Sequence, residues 1–436
     1  MFTIPGLVIQ QFRTVVRKGL GITKRQPAPM VNLQSTQNGL RMCVQTEEVI
    51  VEYLSPSQGT LTTSLAIAFD LFRECSAGKS TDVSLHIKDD ELVASWTEAG
   101  IPQMTCQPVR EQADMPMTPQ AWCSNPSDLL TAIRDACGTT DSESARYALS
   151  HIRLRGSDGQ IAATDGRQLL AVKGFDFPWN DEVLVPASKV FDCADLCGYE
   201  KVEVAQDGEW VCVRTGPWTV RLKIDRARRF PEIDSMLRGS PQATTVLTLE
   251  ESDAQFLQRT FRHLPGKAEH NSPLTFDLNG RVAVRCRAGD LDQVTEVTLA
   301  NSNRDGQEVR FAANRKYVAR AIELGFRTFQ VGKPESPVIA QEANRTFLWA
   351  NLTASSVIPP SPDAQRIESP RSSVSTAIRS SSSRSVRQSK RASPRLEKII
   401  EALRNSTDMM SRLLNELEDS TGHSGLSPNQ LRAIDG

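Results

Sequence analysis

One plan of secondary structure recurs three times along this chain, and the recurrence limits the fold more than any single motif. A helix-bearing stretch opens each copy, at residues 7–19, 125–137 and 253–264. Paired strand-like runs follow: LRMCVQ with VIVEYL, IRLRG with QIAAT, and LTFDL with RVAVRC. Each copy then has a short strand, a second helical stretch and further alternating strands, beginning at residues 59–75, 182–198 and 308–325. A fixed period is the mark of a repeated architecture. At roughly 110 to 120 residues the unit has the size of a domain rather than of a solenoid repeat. The expected fold class is therefore α+β, with three repeated domains of two helices and about eight strands each.

Composition breaks after Thr353. From Ser361 to Arg395 there are eight Lys or Arg against two acids, Asp363 and Glu368, among many Ser and Pro. Such a stretch has too little apolar surface to offset chain entropy, and disorder is expected. Ser393-Pro394 then places a capping residue before a proline at the first helical position. Leu396, Ile400, Leu403, Thr407, Met410, Leu414 and Leu417 alternate spacings of four and three. That pattern reads as a short coiled coil or as an amphipathic helix docked on its own body. The expected divisions are domains at 1–115, 116–243 and 244–353, a linker at 354–393, a helix at 394–421 and a flexible end at 422–436.

The most specific stretch is 145–172, ARYALSHIRLRGSDGQIAATDGRQLLAV. Leu149, Ile152 and Leu154 alternate as in a strand, Ser157-Asp158-Gly159 turns, and Ile161 to Ala163 return. Its Arg-Tyr-x-Leu opening and Ala-Thr-Asp-Gly-x-x-Leu close resemble the central domain of the bacterial DNA polymerase III β subunit, the sliding-clamp family. Arg229-Phe230-Pro231-Glu232-Ile233 resembles that family's signature at the end of the second domain. Phe311 to Val318 resembles the start of its last helix. The resemblance covers about residues 1–352.

The resemblance implies two chains closed head to tail around duplex DNA, tethering a polymerase and engaging a clamp loader. A ring that slides needs phosphate contacts and no base reading. In the first helix Leu7, Val8, Phe12, Val15 and Val16 form the apolar face, leaving Arg13, Arg17 and Lys18 outside it. Arg134 follows in the second domain, and Arg259, Arg262, Arg315, Lys316 and Arg320 in the third. By the resemblance, Arg146 and Tyr147 lie near DNA. Any one of these is also an ordinary surface charge; their recurrence on helices is the argument. Against it stand Asp70 and Glu74 in a helix expected at Ser64–Cys75, and Asp192 and Asp195 in one expected at Ala187–Cys197.

The resemblance also implies a cleft for a short apolar partner peptide between the second and third domains. Leu149, Thr164, Gly166, Arg167, Gln168 and Leu169 would line it, with Phe347, Leu348 and Trp349 from the third domain. The family's His-Arg after Asp-Gly is Arg167-Gln168 here, Leu237-Arg238 stands for its Leu-Pro, and Trp349-Ala350-Asn351-Leu352 replaces its chain end. An altered specificity is the expectation.

Catalysis is not expected. Ala77-Gly78-Lys79-Ser80 ends like a phosphate-binding loop, but Arg73 stands where the first glycine is required. No Gly-x-Ser-x-Gly elbow and no His-Glu-x-x-His occurs. Asp165-Gly166 is explained by a turn. The nine cysteines include no Cys-x-x-Cys pair, and the histidines have no ligand spacing, so neither metal nor cofactor is expected. Cys193 and Cys197 fall on one face of the helix expected there and read as buried thiols in a reducing compartment. No apolar run is long enough for a membrane span, and the basic residues in Met1–Leu20 argue against a secretory signal. A cytoplasmic clamp is the first reading. The alternative is a clamp-fold scaffold that recruits partners through the cleft and the coiled helix without encircling DNA.

Overall fold

The structure is a computed structural model. It describes residues 2–23, 27, 29–56, 64–75, 81–110, 114–141, 148–238, 243–289 and 293–371. Arg146, Tyr147, the 77–80 segment, most of the 354–393 linker and the helix expected at 394–421 lie outside the described residues.

Six α-helices occur among them: α1 (Gly6–Gly19), α2 (Asp70–Glu74), α3 (Asp128–Cys137), α4 (Asp234–Arg238), α5 (Glu251–Thr260) and α6 (Arg315–Glu323). The strands form four sheets. The first domain closes one of its own, in the order Phe2–Pro5, Asp82–Lys88, Glu91–Glu98, Ile101–Pro108. Its other four strands end at Val49–Ser55, which pairs antiparallel with Trp218–Lys223, so the sheet runs on into the second domain. The second domain's remaining strands end at Gln168–Val172. That strand pairs antiparallel with Arg345–Trp349, and this sheet runs on into the third domain. Both junctions are thus continuous hydrogen-bonded ladders.

The hairpin at the centre of the 145–172 motif forms as its alternation requires. His151–Arg155 pairs with Gln160–Thr164, with Leu154 opposite Ile161. Gly159 carries the turn at φ 59, and a Cβ there would stand 2.0 Å from the Phe175 carbonyl oxygen, so only glycine fits. Gln160–Thr164 then pairs with Gln168–Val172.

Side-chain packing also joins the domains. Trp218, fully buried on the second domain's last strand, stacks on Phe12 of α1 at 6.4 Å and meets Tyr53 edge-on at 4.6 Å. A Cβ on Gly19, at the end of α1, would lie 2.2 Å from Val190 Cγ2, so α1 packs directly on the second domain. The Arg320 guanidinium of α6 donates to the Asp135 carbonyl oxygen of α3 at 3.0 Å. The helices therefore connect in a row through the three domains.

Several expectations are corrected. Residues 64–75 are not one helix: Leu65–Ala68 is a strand beside Met30–Leu33, and only α2 is helical. Residues 187–197 form two 3-10 turns, Lys189–Asp192 and Ala194–Leu196, so Cys193 is buried while Cys197 is exposed. Leu7 of α1 is exposed, and Ile9 takes its place on the buried face. Disorder is not what residues 354–371 of the expected linker show. Ile358 is buried, its N–H donating to Thr275 Oγ1 at 2.8 Å, and Gln365–Glu368 adds a parallel strand to Val294–Thr298.

Candidate nucleic-acid interface and partner cleft

The last turns of α1 place Arg13, Arg17 and Lys18 together around an open concavity of about 580 Å³, which Arg73 and Phe69 also line. Arg17 and Lys18 are exposed and Arg13 is half-buried. None of the three makes an ion pair among the described residues, whereas Arg73 is held by Asp70 at 2.7 Å. Cations at a helix C-terminus are stabilised by the helix dipole. The cluster is thus a concentrated positive site whose three cations have no ion-pair partner among the described residues.

The other expected cations divide. Arg259, Arg262 and Lys316 are exposed. Arg134 is exposed but paired with Asp135 at 3.2 Å. Arg320 is committed to Glu323 and to the Asp135 carbonyl across the domain junction. Arg315 is a correction: it is buried, and its guanidinium donates to the carbonyls of Phe261, Leu264 and Pro265 at the end of α5. Burial pushes its pKa down. It is a structural tie between α5 and α6. The acids that opposed the basic reading are partly accounted for as well. Asp70 is spent on Arg73, and Glu74 accepts from Thr105 Oγ1 at 2.6 Å.

The cleft residues are brought together, but in a different form. Gln168 stands opposite Trp349, Leu169 opposite Leu348 and Leu170 opposite Phe347 in the junction ladder. Phe347 and Trp349 lie in the main core. Leu169 and Leu348 are buried in a second cluster with Ile233 and Ile339, covered by Phe230 and Leu237. The expected open apolar floor is therefore filled by the chain's own 229–238 segment.

What remains open is the rim. Gly166 and Arg167 are exposed, and Leu149 is half-buried beside Gly166. Thr164 Oγ1 donates to the Gln168 carbonyl at 2.6 Å, and Asp165 accepts from the N–H groups of Arg167 and Gln168 at 2.8 Å each. Asp165 thus holds a turn, as its Asp-Gly context predicts. Arg167, Gln168, Lys316, Tyr317 and Arg320 line a wide concavity of about 670 Å³ between the second and third domains. Burial, together with the nearby Asp165, pushes the Tyr317 hydroxyl up to about 12, so it stays a neutral donor at physiological pH.

Sequence reading missed the buried charge clusters. At the first junction Glu52 accepts from both Arg41 and Arg221, and these arginines also donate to the carbonyls of Pro116 and Met117. In the third domain Asp277 and Glu296 hold Arg285. Charged residues at inward positions of strands were the available signal. Among the described residues, no group of three or more His, Cys, Asp or Glu is placed to hold a metal ion.

Three α+β domains in series, with sheets continuous through both junctions and helices in a row, define the sliding-clamp architecture. Solved structures with this fold are DNA polymerase III β subunits. That of Pseudomonas aeruginosa matches with a TM-score of 0.65 at 15% identity, over 81% of this chain and 100% of that one. The β chain of Streptococcus pneumoniae matches at 0.65 and 14%, over 81% and 99%. That of Thermotoga maritima matches at 0.64 and 13%, over 81% and 100%. No protein-family model and no curated protein sequence matches the chain. The fold is that of the clamps, at a sequence distance that leaves their activity to be argued separately.

Proposed function

We propose that this protein is a DNA sliding clamp: a non-catalytic, cytoplasmic ring of two chains that encircles duplex DNA and tethers a polymerase. The observation that carries the reading is the Arg13, Arg17 and Lys18 cluster on a helix of a clamp fold. Cations on a helix that have no ion-pair partner among the described residues suit phosphates, which every sequence presents alike. Arg259, Arg262 and Lys316 supply further surface charge on or beside α5 and α6, and Arg146 and Tyr147 complete the proposed DNA-facing set. Polymerase and clamp loader would dock at the junction rim around Leu149, Gly166 and Arg167 through a short peptide. With Leu169 and Leu348 covered, that peptide would rely more on polar contacts than on an apolar floor.

Topological retention tests the reading. The full chain, and the full chain carrying Arg366→Glu to loosen its terminal strand, are incubated with nicked circular plasmid and gel-filtered in high salt. Retention of at least the loosened chain on the circle, lost on linearisation, is the expected result. Retention by neither protein leaves the scaffold reading, which needs no encirclement.

A second measurement isolates the cluster. Replacing Arg13, Arg17 and Lys18 together by alanine should reduce the slope of log affinity against log salt by about 2.7, on the basis of roughly 0.9 per lost phosphate contact. An unchanged slope would remove α1 from the DNA contact.

A further inference from the structure

The two junctions follow one rule. The third strand of a domain's open sheet pairs antiparallel with the last strand of the next domain: Val49–Ser55 with Trp218–Lys223, then Gln168–Val172 with Arg345–Trp349. In the third domain the corresponding strand is Val294–Thr298. The last strand of the first domain, Ile101–Pro108, terminates its sheet, with Ile101 61% and Met104 72% exposed. Applied once more, the rule pairs Val294–Thr298 of one chain with Ile101–Pro108 of a second. That contact would close a head-to-tail ring.

In this chain the third-domain edge is already occupied. Gln365–Glu368 lies parallel along it, with Glu296 opposite Arg366 and Val297 opposite Ile367. Arg366 Nε approaches Glu296 Oε1 at 3.3 Å. At the first junction Arg221 of the incoming strand likewise reaches an acid, Glu52, though Arg221 is buried and Arg366 largely exposed, and in both places the acid also holds an arginine of its own domain, Arg41 or Arg285. The terminal strand therefore takes the position of an incoming domain and makes a looser, exposed counterpart of the charge contact seen at the first junction.

We propose that Gln365–Glu368 is an intramolecular plug on the ring-closing edge, and that the Ile101–Pro108 strand of a second copy must displace it. The inference rests on the clamp reading. The plug is anchored just beyond the strand. Ser369 Oγ donates to buried Asp253 at 2.5 Å and accepts from the Ala300 N–H at 2.8 Å, and Asn301 Nδ2 donates to the Pro370 carbonyl at 2.8 Å. The strand itself is built to yield. It has four residues, all exposed, in a parallel ladder, which is slightly less stable per residue than an antiparallel one. An eight-residue antiparallel strand with apolar side chains is the stronger occupant once the anchor opens. Occupancy by the plug would also keep the edge from templating indiscriminate pairing.

Sedimentation equilibrium tests the plug. The full chain should be predominantly monomeric, at 48.1 kDa. Full-length Arg366→Glu with Ser369→Ala, and a chain ending at Pro360, should dimerise at least tenfold more tightly. Adding Met104→Asp to the released full-length chain should return it to monomer. If the full chain dimerises as tightly as the released ones, the plug is overturned and the ring stands. If none of them dimerises, the ring reading falls and the plug with it. The full-length double variant reads the effect even if the truncated chain fails to fold.

Discussion

Glu52→Ala is expected to lower stability by about 3–5 kcal/mol, the usual cost of breaking a buried ion pair from one side. Glu52 is 6% exposed and holds two guanidiniums, Arg41 on its own sheet and Arg221 on the incoming strand of the second domain. Arg221 is 1% exposed. Its remaining partners are Asp207 at 3.0 Å and the Met117 carbonyl. Without the carboxylate one buried cation is under-compensated and the other loses its only carboxylate partner among the described residues. The damage falls on the ladder that fixes the angle between the first two domains. Glu52→Gln keeps an acceptor and should cost clearly less. Urea denaturation of the two variants measures the difference. A loss below about 1 kcal/mol for Glu52→Ala would mean that water or rearrangement solvates the arginines, as it does for exposed pairs.

The same pair sets what was legible in the sequence. The 151–172 hairpin could be read because its information is local: alternation, an Asp-Gly at each turn and apolar runs between. Arg221 and Glu52 are 169 residues apart, and nothing near either one points to the other. The threefold plan was legible for the reason the hairpin was, since each strand and turn is specified locally. The second helix was legible in the third repeat, where Arg315–Glu323 forms as expected, but not in the first two. Leu65–Ala68 has apolar residues that suit a helix face, but a long-range ladder with Met30–Leu33 recruits them as a strand. At 187–197 the buried residues Val190, Phe191 and Leu196 fit either helix or tight turns, and close packing of Val190 on Gly19 accompanies the turns. Local propensity is a weak prior against such contacts.

The site was legible unevenly for a related reason. Arg13, Arg17 and Lys18 were found because one helix carries them at a spacing that excludes the buried face. Arg315 has the same sequence context as Lys316, and only the position of the α5 carbonyls decides that one is buried and the other exposed. Leu169 and Leu348, expected in the cleft, do stand opposite one another in the junction ladder. Their burial under Phe230, Ile233 and Leu237 depends on how the 229–238 segment folds back, which periodicity does not report.

Asp253→Ala carries the second large effect, about 3–4 kcal/mol at neutral pH, because it orphans several buried donors together. Asp253 is fully buried on α5 and accepts from the N–H groups of Asn301 and Ser302 at 2.9 and 2.7 Å, the Ser302 hydroxyl at 2.7 Å and the Ser369 hydroxyl at 2.5 Å. Burial alone would raise its pKa, but these donors, Ser369 first, hold the carboxyl below its usual range. The sign of the pH dependence follows. A carboxyl depressed in the folded state contributes stability that is fully present above its unfolded value of about 3.9, and that is lost as pH falls through the folded value. The stability gap between the native chain and Asp253→Ala should therefore be constant from neutral pH to about 4.5 and shrink below about 3.9. A gap that stays constant down to pH 2 would show that Asp253 acts by shape and not by charge. The same substitution cuts the anchor of the terminal strand at Ser369. It should make residues 365–371 the first to lose amide-exchange protection, ahead of the sheet they cover.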